Sequence, residues 1–145
     1  GELRGKAEAL VAHLGLEARI LFRGALSHGK AMKELQATRA LVQHSVTAEE
    51  GDTEGLPNTV LEAGMMGIPV IATRHAGIPD VVEDRKDGFL VDEGDVVGTV
   101  KAMVAMMTEP EMARRMGAHF QAKISRTHTL NQSISGLQKI LAEAL

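Results

Sequence analysis

The stretch "GDTEGLPNTVLEAGMMGIPVIATRHAGIPD", residues 51–80, decides how this chain is read. It sets two glutamates, Glu54 and Glu62, around a Gly-Leu-Pro turn and the opening of a helix. Pro57 suits a first helical turn and Gly67 a helix end, which predicts a helix over about 57–66. The apolar run "IPVIAT" (68–73) then reads as a buried strand. At such a helix start the N–H groups of Asn58, Thr59 and their neighbours lack intrahelical acceptors. With the helix dipole they make an anion site, the dipole contributing about 0.3–1 kcal/mol at an exposed end. Gly55 lets a ligand approach the backbone closely. Glu54 lies just before this mouth, and Glu62 lies about 7–8 Å along the axis from Pro57, at ~1.5 Å per residue. An anion between two carboxylates makes chemical sense when the ligand is a sugar nucleotide. Its diphosphate takes the helix start, while hydroxyls on either side donate to the carboxylates in bonds of about 1.5–3 kcal/mol each.

Outward from this stretch the pattern is that of an α/β sheet. "ARILFRG" (18–24), "ALVQHS" (40–45) and "GFLV" (88–91) read as further buried strands. Helices are expected over 2–14, from the stripe Leu3, Ala7, Leu10, Val11 and Leu14 stopped by Gly15, and over 27–38 with Ser27 as N-cap. Three more are expected near 94–108, 110–124 and 127–144, the middle one opened by Pro110 and the last weakened by Gly136. Apolar strands without alternation, separated by helices, imply a Rossmann-like parallel sheet covered on both faces. Ligands of such sheets bind at the carboxyl ends of the strands, where the loops 24–28, 45–56 and 74–80 fall.

Composition narrows the function. The 145 residues fit one domain able to bury about two-thirds of its unfolded surface. A formal charge of −3 argues against a nucleic-acid surface, and the absence of Trp and Tyr, with three Phe, removes most stacking platforms. Zero cysteines excludes disulfides, thiol catalysis and zinc–thiolate sites. No apolar run reaches the roughly 18–20 residues of a membrane span.

At "EGLPNTVLE", Glu54 to Glu62, the chain resembles the E-x7-E motif of retaining GT-B glycosyltransferases of family 4. The flanks agree: "GIPVIAT" resembles the strand that follows the motif, "HAGIPDVVEDRKDGFLV" the family's GGIPE…GLLV segment, and "GD" at 94–95 its next helix start. "SVTAEEGDTEGLP" and "RHAGIP" are most similar to the bacterial exopolysaccharide, colanic-acid-type branch. The similarity covers about residues 1–108 and is strongest over 40–95. Ala76 stands where the family usually has Gly, Asp80 where it usually has Glu, and Gly64-Met65-Met66 replaces a common Met-Ala run.

The resemblance implies that Glu54 contacts the transferred sugar and Glu62 the ribose, with the backbone of Gly55, Leu56, Asn58 and Thr59 at the diphosphate. "FRGAL" (22–26) resembles the strand and loop beside the nucleobase, which makes Gly24, Ala25 and Leu26 base-contact candidates. It further implies no metal, a nucleotide-sugar donor and a saccharide or lipid-linked acceptor. The expected location is the cytoplasm or the inner membrane face. "GELR" resembles the end of the family's G-x-G-x-L-R loop, so the chain reads as part of a carboxy-terminal donor-binding domain, with its core over 1–108 and terminal helices over 110–144. Two strands of that domain and the acceptor half are expected to lie in the missing amino-terminal part of the parent protein. In a strand order of 3-2-1-4-5-6 the strands at 18–22 and 40–43 then lack partners, and open edges invite a strand-exchanged oligomer. The fragment alone is expected to be inactive.

Plainer readings apply elsewhere. Glu49, Glu50 and Asp52 read as a solvated acidic loop, and "EDRKD" (83–87) as a solvated turn. Met103, Met106 and Met107 read as gap-filling core. His44 and His75 sit at strand ends, where packing or backbone hydrogen bonding is favoured over a role in transfer. His13, His28, His119 and His128 lack zinc-like spacing and read as surface residues, and for Arg114 and Arg115 an exposed helix face is favoured over contact with anionic lipid headgroups. A non-catalytic nucleotide-binding or interaction module is the alternative function. A flavodoxin-like receiver fails for want of the acidic cluster after its first strand.

Overall fold

The computed structural model describes residues 3–47 and 55–128. The chain divides into two compact units, residues 1–31 and 32–145, each described by itself.

In the amino-terminal unit, α1 (Arg4–His13) ends with Gly15 at φ +65°, a left-handed conformation that glycine takes without strain. The segment 18–24, expected as a strand, forms none: Ile20, Leu21 and Phe22 stay exposed. A three-to-five-residue apolar run becomes a strand only where a neighbour accepts its backbone bonds, and here no ladder is offered. Arg4 instead caps the Phe22 ring, its guanidinium carbon 5.9 Å from the centroid. Helix α2 (His28–Gln36) leads out of this unit.

In the larger unit a three-stranded parallel sheet runs in the order β1 (Leu41–Gln43), β2 (Val70–Thr73), β3 (Gly88–Val91). Between them lie α3 (Asn58–Met65) and the short α4 (Ile78–Val81), and α5 (Val96–Thr108) and α6 (Pro110–Thr127) follow. α4 falls on "IPDV", which the sequence pattern leaves in a loop, and α6 runs to Thr127 rather than 124. The helix expected over 127–144 lies otherwise outside the described residues.

The central strand β2 is buried at every position, as a non-alternating apolar run requires. Its alternate side chains enter different cores. Val70 and Ala72 join Val60, Ala63, Ile78, Leu90, Phe120 and Ile124 on one face. Ile71 joins Ala102, Met106, Ala113 and Met116 on the other. α6 contributes to both.

Close approach of backbones sets the fit of α6. A Cβ on Gly117 would lie 2.0 Å from the Gly67 carbonyl oxygen, and one on Gly64 would lie 2.7 Å from Ile124 Cγ1. Gly67 itself, at φ +73°, closes α3, and Ile68 N–H reaches back to the Ala63 carbonyl at 2.9 Å.

Two expectations about solvated groups are corrected. Asp87, assigned to a solvated turn, is fully buried. It accepts from Glu83 N–H (2.8 Å), His119 Nδ1 (2.6 Å) and Lys123 Nζ (3.0 Å), which ties the turn before β3 to α6. Burial pushes its carboxyl upward, but these bonds and the Lys123 charge outweigh that and hold it below the usual carboxylate range. Of the methionines assigned to core, Met106 is buried whereas Met103 and Met107 are exposed, beside Val96, Val97, Val100 and Val104. This apolar face of α5 lies near Val42 of β1, whose outer edge pairs with no strand among the described residues.

Gly117→Ala should gain about 0.5–1 kcal/mol in helix propensity yet lose roughly 1–3 kcal/mol to overpacking, lowering the urea midpoint. Asp87→Asn should cost about 3 kcal/mol by leaving Lys123 and His119 without their carboxylate. The folded pKa of Asp87 lies below its unfolded value, so its contribution is full above that unfolded value. It is lost as pH falls below about 4. Urea melts of wild type and Asp87→Asn should therefore converge towards low pH.

Candidate functional site at the carboxyl ends of the strands

Where β1, β2 and β3 end, their chains continue into polar residues that bind one another. Thr73, the last residue of β2, is 1% exposed in an apolar sheet and must find partners. Its hydroxyl donates to the Ser45 carbonyl (2.6 Å) and accepts from the Ser45 N–H (3.1 Å), which locks the chain beyond β1 against β2. Gln43 donates through Nε2 to Ser45 Oγ (3.1 Å) and accepts from Thr59 Oγ1 (3.1 Å). The second bond fastens the first turn of α3 to the end of β1.

A parallel set of contacts joins β2 to β3. His75, buried to 2% exposure, meets Glu93 through Nδ1 at 2.6 Å. Glu93 also accepts from the Thr47 N–H (2.9 Å) and hydroxyl (3.4 Å). The Thr47 N–H first, then the His75 bond, holds the Glu93 carboxyl below its ordinary range, against a smaller opposing effect of burial. Thr47 is therefore clamped at the last described residue before Glu54.

α3 begins one residue later than expected: Pro57, assigned to its first turn, lies just outside it and is extended (φ −61°, ψ 125°). The Pro57 carbonyl accepts from the Val60 N–H at 3.0 Å. The amides of Asn58 and Thr59 precede the intrahelical ladder, as at any helix start. No atom of the described residues lies within 4 Å of where a Cβ on Gly55 would sit, Asn58 and Thr59 are exposed, and Leu56 is half-buried against Gly77. Glu62 is half-buried one turn further on and has an interaction partner. Glu54, with Glu49, Glu50 and Asp52, lies outside the described residues.

Gly24, Ala25 and Leu26 belong to the amino-terminal unit. There Gly24 and Ala25 line a hollow of about 600 Å³ with Arg4, Leu21, Phe22 and Arg23. His44 is exposed at the end of β1, without the engagement that His75 has.

The departures from the family pattern acquire a physical content. Ala76 sits at φ +43°, the left-handed region where a Cβ is strained and glycine is not. Asp80 is exposed in the first turn of α4. Sequence reasoning missed Gln43, Thr47, Thr73 and Glu93. The available signal was polar residues directly after apolar strands; for Glu93 it required extending the strand-end rule to the loop after β3. Among the described residues no group of three or more His, Asp or Glu is placed to hold a metal, and no helix is long and apolar enough to cross a membrane.

This three-stranded parallel sheet flanked by helices is a fold of GT-B type. The chain belongs to the glycosyl transferases group 1 family, whose model matches residues 1–122. It is 46% identical over 61 residues to WcaL of Escherichia coli K12, a candidate colanic acid biosynthesis glycosyltransferase; the match covers 42% of this chain and 15% of WcaL. It is 32% identical over 95 residues to the amylovoran biosynthesis glycosyltransferase AmsK of Erwinia amylovora, covering 66% of this chain and 23% of AmsK. Among solved structures, Anabaena HepE in complex with UDP-glucose superposes with a TM-score of 0.79 at 21% identity, over 96% of this chain and 36% of that one. The chain thus spans about a third of that structure, and its matches span less than a quarter of the two relatives.

Thr73→Val should cost about 1–3 kcal/mol, because the Ser45 N–H and carbonyl lose a buried partner. Thermal unfolding of the variant, which preserves the side-chain shape, measures this. Ala76→Gly should raise stability by about 1 kcal/mol through relief of left-handed strain. Because the folded pKa of Glu93 is lowered, its clamp is intact above the unfolded value and loosens as pH falls below about 4. Amide exchange at Thr47, corrected for intrinsic rate, should accelerate there.

Proposed function

We propose that this chain is the donor-binding part of a retaining, family 4 glycosyltransferase. Its parent moves a hexose from a nucleotide diphosphate sugar to a saccharide or lipid-linked acceptor in exopolysaccharide synthesis. The observation that carries this reading is the start of α3: Gly55 clear of the described residues, Asn58 and Thr59 exposed, and the turn fastened to β1 through Thr59 and Gln43. That bond holds the first turn of α3 in place before ligand arrives, which lowers the ordering cost of binding there. Membership of the group 1 family supports the reading, as does the UDP-glucose named with HepE.

In this proposal the backbone of Gly55, Leu56, Asn58 and Thr59 receives the diphosphate. Glu54 orients the transferred sugar, and Glu62, about one and a half turns into α3, accepts from the ribose diol. Gly24, Ala25 and Leu26 meet the base. Catalysis rests on positioning and on stabilising the departing diphosphate by helix amides, without a resident metal. No general base is assigned to this chain. The proposed location of the parent protein is the cytoplasm or the inner membrane face.

A second reading, a binding or interaction module without turnover, is favoured by the open edge of β1 and the exposed apolar face of α5.

Calorimetric titration of UDP, GDP and ADP into the chain tests the proposal. One nucleotide should bind, and Glu62→Ala should weaken it by about 10- to 100-fold, the loss of one charge-assisted interaction. Binding by wild type and variant alike would remove Glu62 from the site. No binding by any nucleotide would count against a donor site in this chain, and binding without sugar transfer by the parent protein would leave the module reading.

A further inference from the structure

At the end of β3 opposite the strand-end site, a shallow cavity of about 260 Å³ lies between the 83–88 turn and α6. Arg85, Lys86, Met112, Arg115, Met116 and His119 line it. Four of these six side chains are basic and none is acidic, in a chain whose net charge is −3.

The acids on the same elements are already engaged. Glu83 pairs with Lys86 at 2.6 Å, Glu111 pairs with Arg114, and buried Asp87 holds His119 and Lys123. The guanidinium groups of Arg85 and Arg115 have no ion-pair or hydrogen-bond partner among the described residues. Two arginines therefore line one hollow whose own lining holds no acid, although Arg85 also borders the neighbouring cavity that carries Asp84, Asp92, Asp95 and Glu109.

The hollow is also held in shape. Asp87 is fully buried and fixes the His119 ring through Nδ1, so Nε2 is the ring nitrogen left for another group. Arg85 sits at φ +63°, pinned by its N–H to the Gly88 carbonyl at 2.7 Å, so its side chain leaves from a fixed backbone. That conformation is strained for arginine and would cost a glycine nothing.

We propose that Arg85 and Arg115, assisted by Lys86 and His119, form a binding site for a phosphoryl group, separate from the proposed donor site. Guanidinium forks match phosphate oxygens bidentately, which a scattering of lysines does not. The volume falls below the roughly 300–1,000 Å³ of pockets for larger ligands. It fits an inorganic phosphate or a phosphate headgroup, with Met112 and Met116 offering apolar contact to whatever the phosphate is attached to.

The test uses the full chain and inorganic phosphate, followed by amide NMR at constant ionic strength against chloride. Saturable shifts should localise to 85–86 and 112–119. R85Q/R115Q should weaken binding by about tenfold or more, as expected for the loss of charge-assisted bonds. R114Q, which removes a neighbouring exposed arginine already paired with Glu111, should leave it unchanged. Both substituted sites are exposed, and an unchanged thermal midpoint confirms that the double variant is folded.

Co-sedimentation with phosphatidic acid–phosphatidylcholine vesicles, against phosphatidylcholine alone, separates the two phosphate sources. Vesicle binding lost in R85Q/R115Q assigns a lipid headgroup; saturable phosphate binding without vesicle binding assigns a free phosphate. The proposal is overturned if neither probe binds, or if R114Q weakens binding as much as the double variant. Neither outcome bears on the donor site, whose own test is nucleotide titration.

Discussion

The arrangement at the strand ends depends on one buried hydroxyl. β2 is dry along its length until Thr73, whose oxygen bonds both the N–H and the carbonyl of Ser45. A polar group in such a position costs stability unless satisfied, so the requirement for partners fixes where the chain beyond β1 must run. Once Ser45 is fixed, Gln43 orients Thr59 at the opening of α3, and Thr47 falls within reach of Glu93 and His75. The same bonds that relieve the sheet of an unsatisfied hydroxyl therefore shape the region proposed to receive the donor.

The opposite end is governed by steric fit and by charge. α6 can approach the Gly67 turn and α3 only because Gly117 and Gly64 have no side chains, and Phe120 and Ile124 then fill the core over β2. Asp87 adds a directional lock, drawing His119 and Lys123 of α6 onto the turn before β3. An isolated buried carboxylate would be costly; three donors make it tolerable and keep it ionised. Asp87 faces those donors and not the hollow beside them, whose lining holds no acid, which is how a structural lock and a basic hollow come to share His119.

The exposed face of α5 and the open edge of β1 belong together physically. Val97, Val100, Val104 and Met107 remain in contact with water while Ala102 and Met106 are buried, so α5 has two apolar faces and only one is used. A helix apolar all round is normally covered all round. This chain, about a third as long as the solved structure it superposes on, carries that unspent surface beside the strand edge.

Much of the fold was legible because its signals are local. Non-alternating apolar runs gave three of the expected strands, Pro57 and Gly67 bracketed α3, and Pro110 opened α6. The fourth run, 18–24, has the same composition but forms no strand, since a strand exists only where another accepts its backbone bonds. The left-handed backbone under Ala76 and Arg85, the burial of Asp87 inside "EDRKD" and the His75–Glu93–Thr47 clamp were equally out of reach. By itself the sequence determined the parallel α/β class and the position of the helix start. Tertiary structure alone decided which polar side chains are satisfied and which charges are left over, because both depend on residues up to 68 positions apart in the chain meeting in space.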